Sequence, residues 1–241
     1  MPPTGRQAPV AFSGRSFIGV REASAWEIDA RPFWIYRISL AVLGQAGVIV
    51  LDWLQPSASV VGAYAAAMGI ASVAQVLATA TNRLYAGQLS VLLGQRDFGT
   101  ILRLRRKRLI WIAIPIAAYL GGIFGFTREL LAFFRPEFVE EGVVALRLLA
   151  LTTAFIVLVA LAPTWLKFRA RNQAIYVTVA SAAFTQIALL LLLVPRMGAT
   201  GAAAAYAIAM CGMYGNFARL ARRELTLMKT RALPQTSWPE T

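Results

Sequence analysis

Histidine is absent from the 241-residue sequence, and cysteine occurs once, as Cys211. Without histidine there is no imidazole metal site, no histidine general base and no Ser-His-Asp triad. A lone cysteine closes no internal disulfide and builds no metal site. Cys211 sits in an Ala/Gly-rich apolar run and is expected to pack there. Acidic residues are also scarce, at 11 against 24 Lys and Arg. Glu137, Glu140 and Glu141 form the main acidic group. They read as a helix-entry face favoured by the helix dipole, with no partner set for catalysis. No enzyme activity, catalytic residue, metal or cofactor is therefore expected. The first 33 residues lack a continuous apolar stretch, so a cleavable signal peptide is not expected either.

What the chain has in abundance is apolar length. It is 58% hydrophobic, with mean hydropathy +0.61, well above a soluble domain. The excess falls into runs, each long enough to cross a bilayer. Six spans are expected, near residues 34–54, 60–85, 109–126, 143–166, 175–194 and 199–217. The fold class is therefore all-α: a polytopic membrane protein with a six-transmembrane-helix bundle. Residues 1–33 read as a cytoplasmic N-terminal segment, 34–220 as the transmembrane domain and 221–241 as a cytoplasmic basic tail. Residues 12–30 fit a short interfacial helix or a disordered stretch. The turn Pro195-Arg196-Met197-Gly198 is short enough to make the last two spans an antiparallel hairpin. Pro115 and Pro163 are expected to interrupt their helices, and Gly121-Gly122 to add a flexible point.

The net charge of +13 is unevenly placed. Basic residues collect in the N-terminal segment, in the loop from Arg96 to Arg108, around Lys167, Arg169 and Arg171, and in the tail from Arg219 to Arg231. The alternate loops carry only Arg128, Arg135, Arg147 and Arg196. The positive-inside rule then puts both termini in the cytoplasm, and an even span count agrees. This one-sidedness points to anionic lipid headgroups as the partner and away from nucleic acid. The run Leu102 to Ile110, LRLRRKRLI, is expected to lie on that lipid surface as an interfacial helix.

Polar residues inside spans are costly and tend to face a bundle interior or a wet cavity. Arg37, Gln45 and Asp52 share one face of the first span, within roughly 80° at helical spacing. Ser72, Gln75, Thr79 and Asn82 stripe the second span, with Arg83 adjacent. Thr178, Ser181 and Thr185 stripe the fifth, with Gln186 beside them. Three stripes suggest one shared hydrated cavity. The competing reading of the hydroxyls is interhelical hydrogen bonding, and Arg37 and Arg83 also suit snorkelling to headgroups.

Several segments resemble a known family. Val60-Val61-Gly62-Ala63-Tyr64-Ala65-Ala66-Ala67 is similar to the VGxYxAA region of polysaccharide and lipid-linked-oligosaccharide flippases, in the multidrug/oligosaccharidyl-lipid/polysaccharide exporter superfamily. Leu146 to Ala150 resembles that family's LRILA, and Val194 to Ala203 its (I/V)PxxGxxGAA turn. Pro163-Thr164-Trp165-Leu166-Lys167 stands where the family often reads yLkatGr. The resemblance covers residues 34–220 and matches only the C-terminal half of a two-half transporter. It implies translocation of a lipid-linked glycan across the bacterial inner membrane, together with a second six-helix half or as a homodimer. Under that resemblance Arg37, Arg83 and Arg147 would meet a pyrophosphate, and Gln75, Thr79 and Asn82 the sugar hydroxyls. Asp52 would take a coupling ion. A non-transporting remnant or scaffold of a polysaccharide-assembly locus, and a small-molecule exporter of the same superfamily, remain as alternatives.

Overall fold

The computed structural model describes residues 20–55, 57–94, 98–168 and 172–232. Those residues form seven helices and no strand. They are α1 (Val20–Leu54), α2 (Ala58–Gly94), α3 (Phe98–Gly125), α4 (Thr127–Phe134), α5 (Phe138–Val159), α6 (Leu161–Phe168) and α7 (Asn172–Ala232). Four of them carry stretches long and apolar enough to cross a membrane: Ala58–Tyr85, Arg106–Gly125, Phe138–Pro163 and Gln173–Glu224. A shorter apolar stretch, Ile38–Leu54, lies in α1.

The longest helix is folded on itself. At Gly198 the backbone takes φ 52° and ψ −130°, a conformation closed to residues with a Cβ. A Cβ there would also stand 3.0 Å from Gln55 Oε1. At Gly201 a Cβ would fall onto the Leu193 carbonyl, so the two arms meet as they leave the bend. They stay together: Asn216 Nδ2 donates to Thr178 Oγ1 at 2.9 Å, across 38 residues of sequence. The expected hairpin is present, and the glycines of the Val194–Ala203 segment are what its geometry needs.

α5 is the central helix. Of its apolar stretch 56% is buried, against 22% for that of α3. It packs on α2 and on α7, while α1 packs chiefly on α7. One core cluster joins Leu51, Tyr64, Leu146, Leu149, Leu190 and Ala203. A second joins Leu43 of α1 to Leu166 of α6 and to both arms of α7 through Val179 and Met213. A third seals α3 against α2 and α5 through Ala78, Ile112, Ile116 and Val157.

Several expectations need correction. In α1, residues 20–30 run continuously into the first apolar stretch; residues 12–19 lie outside the described residues. The loop between the third and fourth spans contains helix α4. Pro115 does not break α3, which runs on through Gly121 and Gly122 to Gly125. One missing backbone hydrogen bond is tolerable inside a helix supported by neighbours. Around Pro163 the helix does break, at Ala160, three residues before the proline. The proline ring and its missing N–H disturb the preceding turn.

Candidate functional site

A cavity of about 420 Å³ is walled by α1, α2, the α5–α6 junction and both arms of α7. Gln75, Thr79 and Asn82 line it from α2, spaced so that one helix face presents all three. Tyr206 and Tyr214 line it from the second arm of α7, and Ala160 and Pro163 from the α5–α6 junction. Tyr206 interacts with the Gln75 side chain. Thr79 is exposed and donates its hydroxyl proton to the Gln75 carbonyl at 3.0 Å, leaving its lone pairs facing outward.

Behind Asn82, outside the lining of this cavity, lies a residue that sequence reasoning missed. Arg108 is 1% exposed and is among the largest fully buried side chains. Its Nη2 donates to Asn82 Oδ1 at 2.8 Å, with longer contacts of 3.5 Å to Thr81 Oγ1 and the Val157 carbonyl. Asn82 Nδ2 in turn donates to the Ala160 carbonyl at 3.3 Å. The chain Arg108–Asn82–Ala160 therefore ties α3, α2 and the α5–α6 break together. The carbonyls it engages are the ones near the break, where the helix ladder is disturbed. The Arg108 Nε has no partner. No carboxylate acts on this guanidinium among the described residues; Tyr85 is the ionisable group that does. Residues 102–110 thus do not all lie on a lipid surface as expected. Arg103, Arg106 and Lys107 are exposed, while Arg108 turns inward. The one available signal was the helical register that sets Arg108 in line with Ile112 and Ile116, both buried.

The other candidates scatter. Arg83 is exposed beside exposed Leu84 and does not line the cavity. Asp52 and Gln45 are exposed on α1, which instead turns Leu40, Leu43 and Gly44 toward the cavity. The Arg37 side chain lies outside the described residues. Arg147 is on the far part of α5: its Nε donates to Thr127 Oγ1 at 3.3 Å, and its guanidinium lies 5.5 Å from the Phe124 ring centroid.

The shared cavity expected from three stripes is also not what forms. Thr178, Ser181 and Thr185 line a separate groove of about 250 Å³ with Gly212 and Asn216, between the arms of α7. Gln186 is fully buried and donates to the Leu43 carbonyl at 3.2 Å, joining α7 to α1. Its Oε1 has no partner. The competing reading, interhelical hydrogen bonding, is met in part, with the hydroxyls as acceptors. Thr79, Thr81, Thr178 and Thr185 each donate to a carbonyl one turn back in their own helix. Their lone pairs are then free to accept across helices, as Thr81 does from Arg108 and Thr178 from Asn216. Cys211 is half-buried, free and unpaired with any metal-ligand cluster among the described residues.

No family model, no curated protein and no solved structure matches the chain.

Proposed function

We propose that this chain is a multi-pass protein of the bacterial inner membrane and one half of a carrier for lipid-linked oligosaccharide or polysaccharide precursors. In this reading there are six crossings. The apolar 138–163 stretch is one, α2 and α3 give two, the two arms of α7 give two, and Ile38–Leu54 with the helix preceding it gives the sixth. The basic end, with both termini, faces the cytoplasm. The partner is a second six-helix half or a second copy, and the remaining partners are membrane lipids.

The observation that supports a carrier is the largely apolar cavity with a polar strip from Gln75, Thr79 and Asn82, and a buried cation directly behind that strip that meets no carboxylate among the described residues. Gln75, Thr79, Asn82 and two tyrosines offer hydroxyl and amide groups of the kind that bind sugars. Arg108 supplies positive charge one side chain behind Asn82. Arg108 stands near the basic end of its membrane-length stretch, and ionisable residues inside such stretches mark substrate or ion pathways by default. Arg108 takes over the cation role that the motif resemblance gives to Arg37, Arg83 and Arg147. Asp52 as the coupling-ion residue stays a proposal.

A second reading has its own observation. Both ends of the Asn82 amide are already engaged within the bundle, as in a bundle that inserts and scaffolds without transporting. One experiment separates the two. The protein, with its partner half where one exists, is reconstituted with a fluorescent undecaprenyl-pyrophosphate-linked saccharide. Transfer between leaflets is then followed by dithionite quenching. The carrier reading expects transfer that falls steeply in a Gln75→Leu, Thr79→Val variant. No transfer above empty vesicles, or transfer indifferent to these residues, overturns it.

A further inference from the structure

Helix α4 is built as a surface helix with two unlike faces. It begins two residues after α3 ends and closes four residues before α5 begins, so it sits where two spanning-length helices terminate. One face is sunk into the bundle. Thr127 and Leu131 are 1% and 0% exposed, and Leu131 fits against Gly142 of α5, which also meets Ala63 of α2. Beside that face the helix leaves two rings uncovered: Phe134, about 60° round from Leu131, is 54% exposed, and Phe133, turned further from the bundle, is 87% exposed, the rings edge-to-face at 6.0 Å. Phe126, just before the helix, is 62% exposed. Charged Arg128, Glu129 and Arg135 are interleaved and exposed.

Eight residues are too few to cross a bilayer and too few to be stable as an isolated helix. Thr127 and Leu131, with half-buried Leu130, pin the helix from below. In water, a phenylalanine as exposed as Phe133 would stand against the hydrophobic effect. At the ends of spanning helices the medium is the headgroup–acyl boundary, where aromatic rings with charged neighbours are enriched.

We propose that α4 is an interfacial anchor: it lies in the plane of the membrane at the end opposite the basic loops, with Phe133 and Phe134 buried in lipid. The inference rests on the membrane-spanning reading of α3 and α5, and it holds whatever the cargo. Fixing α4 in the lipid also fixes Leu131, and through its contact with Gly142 the level of α5.

The test uses the full chain with Cys211→Ser, spin-labelled at single cysteines and reconstituted in vesicles of phosphatidylethanolamine and phosphatidylglycerol. Phe133→Cys is the reporter. Phe184→Cys, exposed in mid-span, is the deep reference, and Ser57→Cys in the α1–α2 turn is the wet one. Collision rates with oxygen, relative to those with a water-soluble nickel chelate, should place residue 133 several-fold above residue 57 and several-fold below residue 184. A ratio at 133 equal to that at 57, with 184 deep, overturns the anchor while leaving the spans intact. An equally wet label at 184 overturns the spanning reading and the anchor with it. A label at 133 shielded from both reagents indicates protein cover and also overturns the proposal. Should Phe133→Cys fail to accumulate, Phe134→Cys gives the same reading.

Discussion

Arg108 and Arg147 are the same residue at opposite ends of the helix bundle, and their surroundings could hardly differ more. Arg108 is sealed between three helices and held by an amide, a hydroxyl and a backbone carbonyl. Arg147 is exposed, resting on Phe124 and one threonine hydroxyl. A census of charge treats them alike, one in the basic loop and one opposite. The structure separates them by the cost of removing their partners. A buried charge that loses a hydrogen-bonding partner is left stranded, whereas an exposed one turns to water or headgroups.

That difference is sharpest at Asn82. Substituting Asn82→Leu takes the 2.8 Å acceptor from Arg108 and the donor from the Ala160 carbonyl. The expected loss is about 3 kcal/mol, the usual scale for an unpaired buried charge. It should appear as a large fall in the unfolding temperature of the purified protein, followed by tryptophan fluorescence. Removing the charge itself should be gentler. Arg108→Met keeps the length and apolar stem while abolishing the need for partners, so the expected cost is within about 1 kcal/mol. The double variant, Asn82→Leu with Arg108→Met, should recover much of what Asn82→Leu loses. A double variant as unstable as the sum of the singles would show that the two residues do not act as a pair.

The far end has its own sensitive point, and it is backbone rather than charge. Gly198→Ala places a Cβ at φ 52° and close to Gln55 Oε1. The expected destabilisation is about 1–3 kcal/mol, the range for a non-glycine residue forced into such a region. It should fall between Asn82→Leu and Arg108→Met, and hydrogen exchange should rise first in the turn near residue 198. Equal stability of Gly198→Ala would mean the bend can be made another way.

How much of this was legible beforehand follows from the kind of signal each feature leaves. The hairpin was readable because Pro195 and Gly198 encode a turn locally, within four residues. The apolar stretches were readable because hydropathy sums over many residues. The cavity was half readable. The α2 stripe does face it, but a stripe records only a helix's own face and not which way that helix is turned in the bundle. So Gln45 and Asp52 point outward from α1, and the α7 stripe lines a different groove. Arg108 was hidden among neighbouring cations, because what selects it is Asn82, 26 residues earlier in sequence. The resemblance to flippases rests on the short segments themselves, and two of the residues within them have structural work to do. Gly198 makes a bend and Leu146 packs in the core.

The smallest expected effect closes the comparison. Arg147→Gln loses a cation–π contact and a 3.3 Å bond to Thr127 Oγ1. Thr127 remains satisfied, because its hydroxyl already donates to the Ile123 carbonyl of α3, one turn back. An exposed cation–π pair contributes about 0.5–1 kcal/mol, so the unfolding temperature should move little, and less than in Asn82→Leu or Gly198→Ala. Measured side by side with Arg108→Gln, the pair isolates burial as the variable. Glutamine at 108 must find new partners inside the protein for a shorter side chain, while glutamine at 147 is free to use the solvent-facing side. Losses of equal size at the two positions would mean that burial does not govern how this bundle holds its arginines. In that case Arg147 would regain the standing in substrate binding that its exposed, far-end position takes from it here.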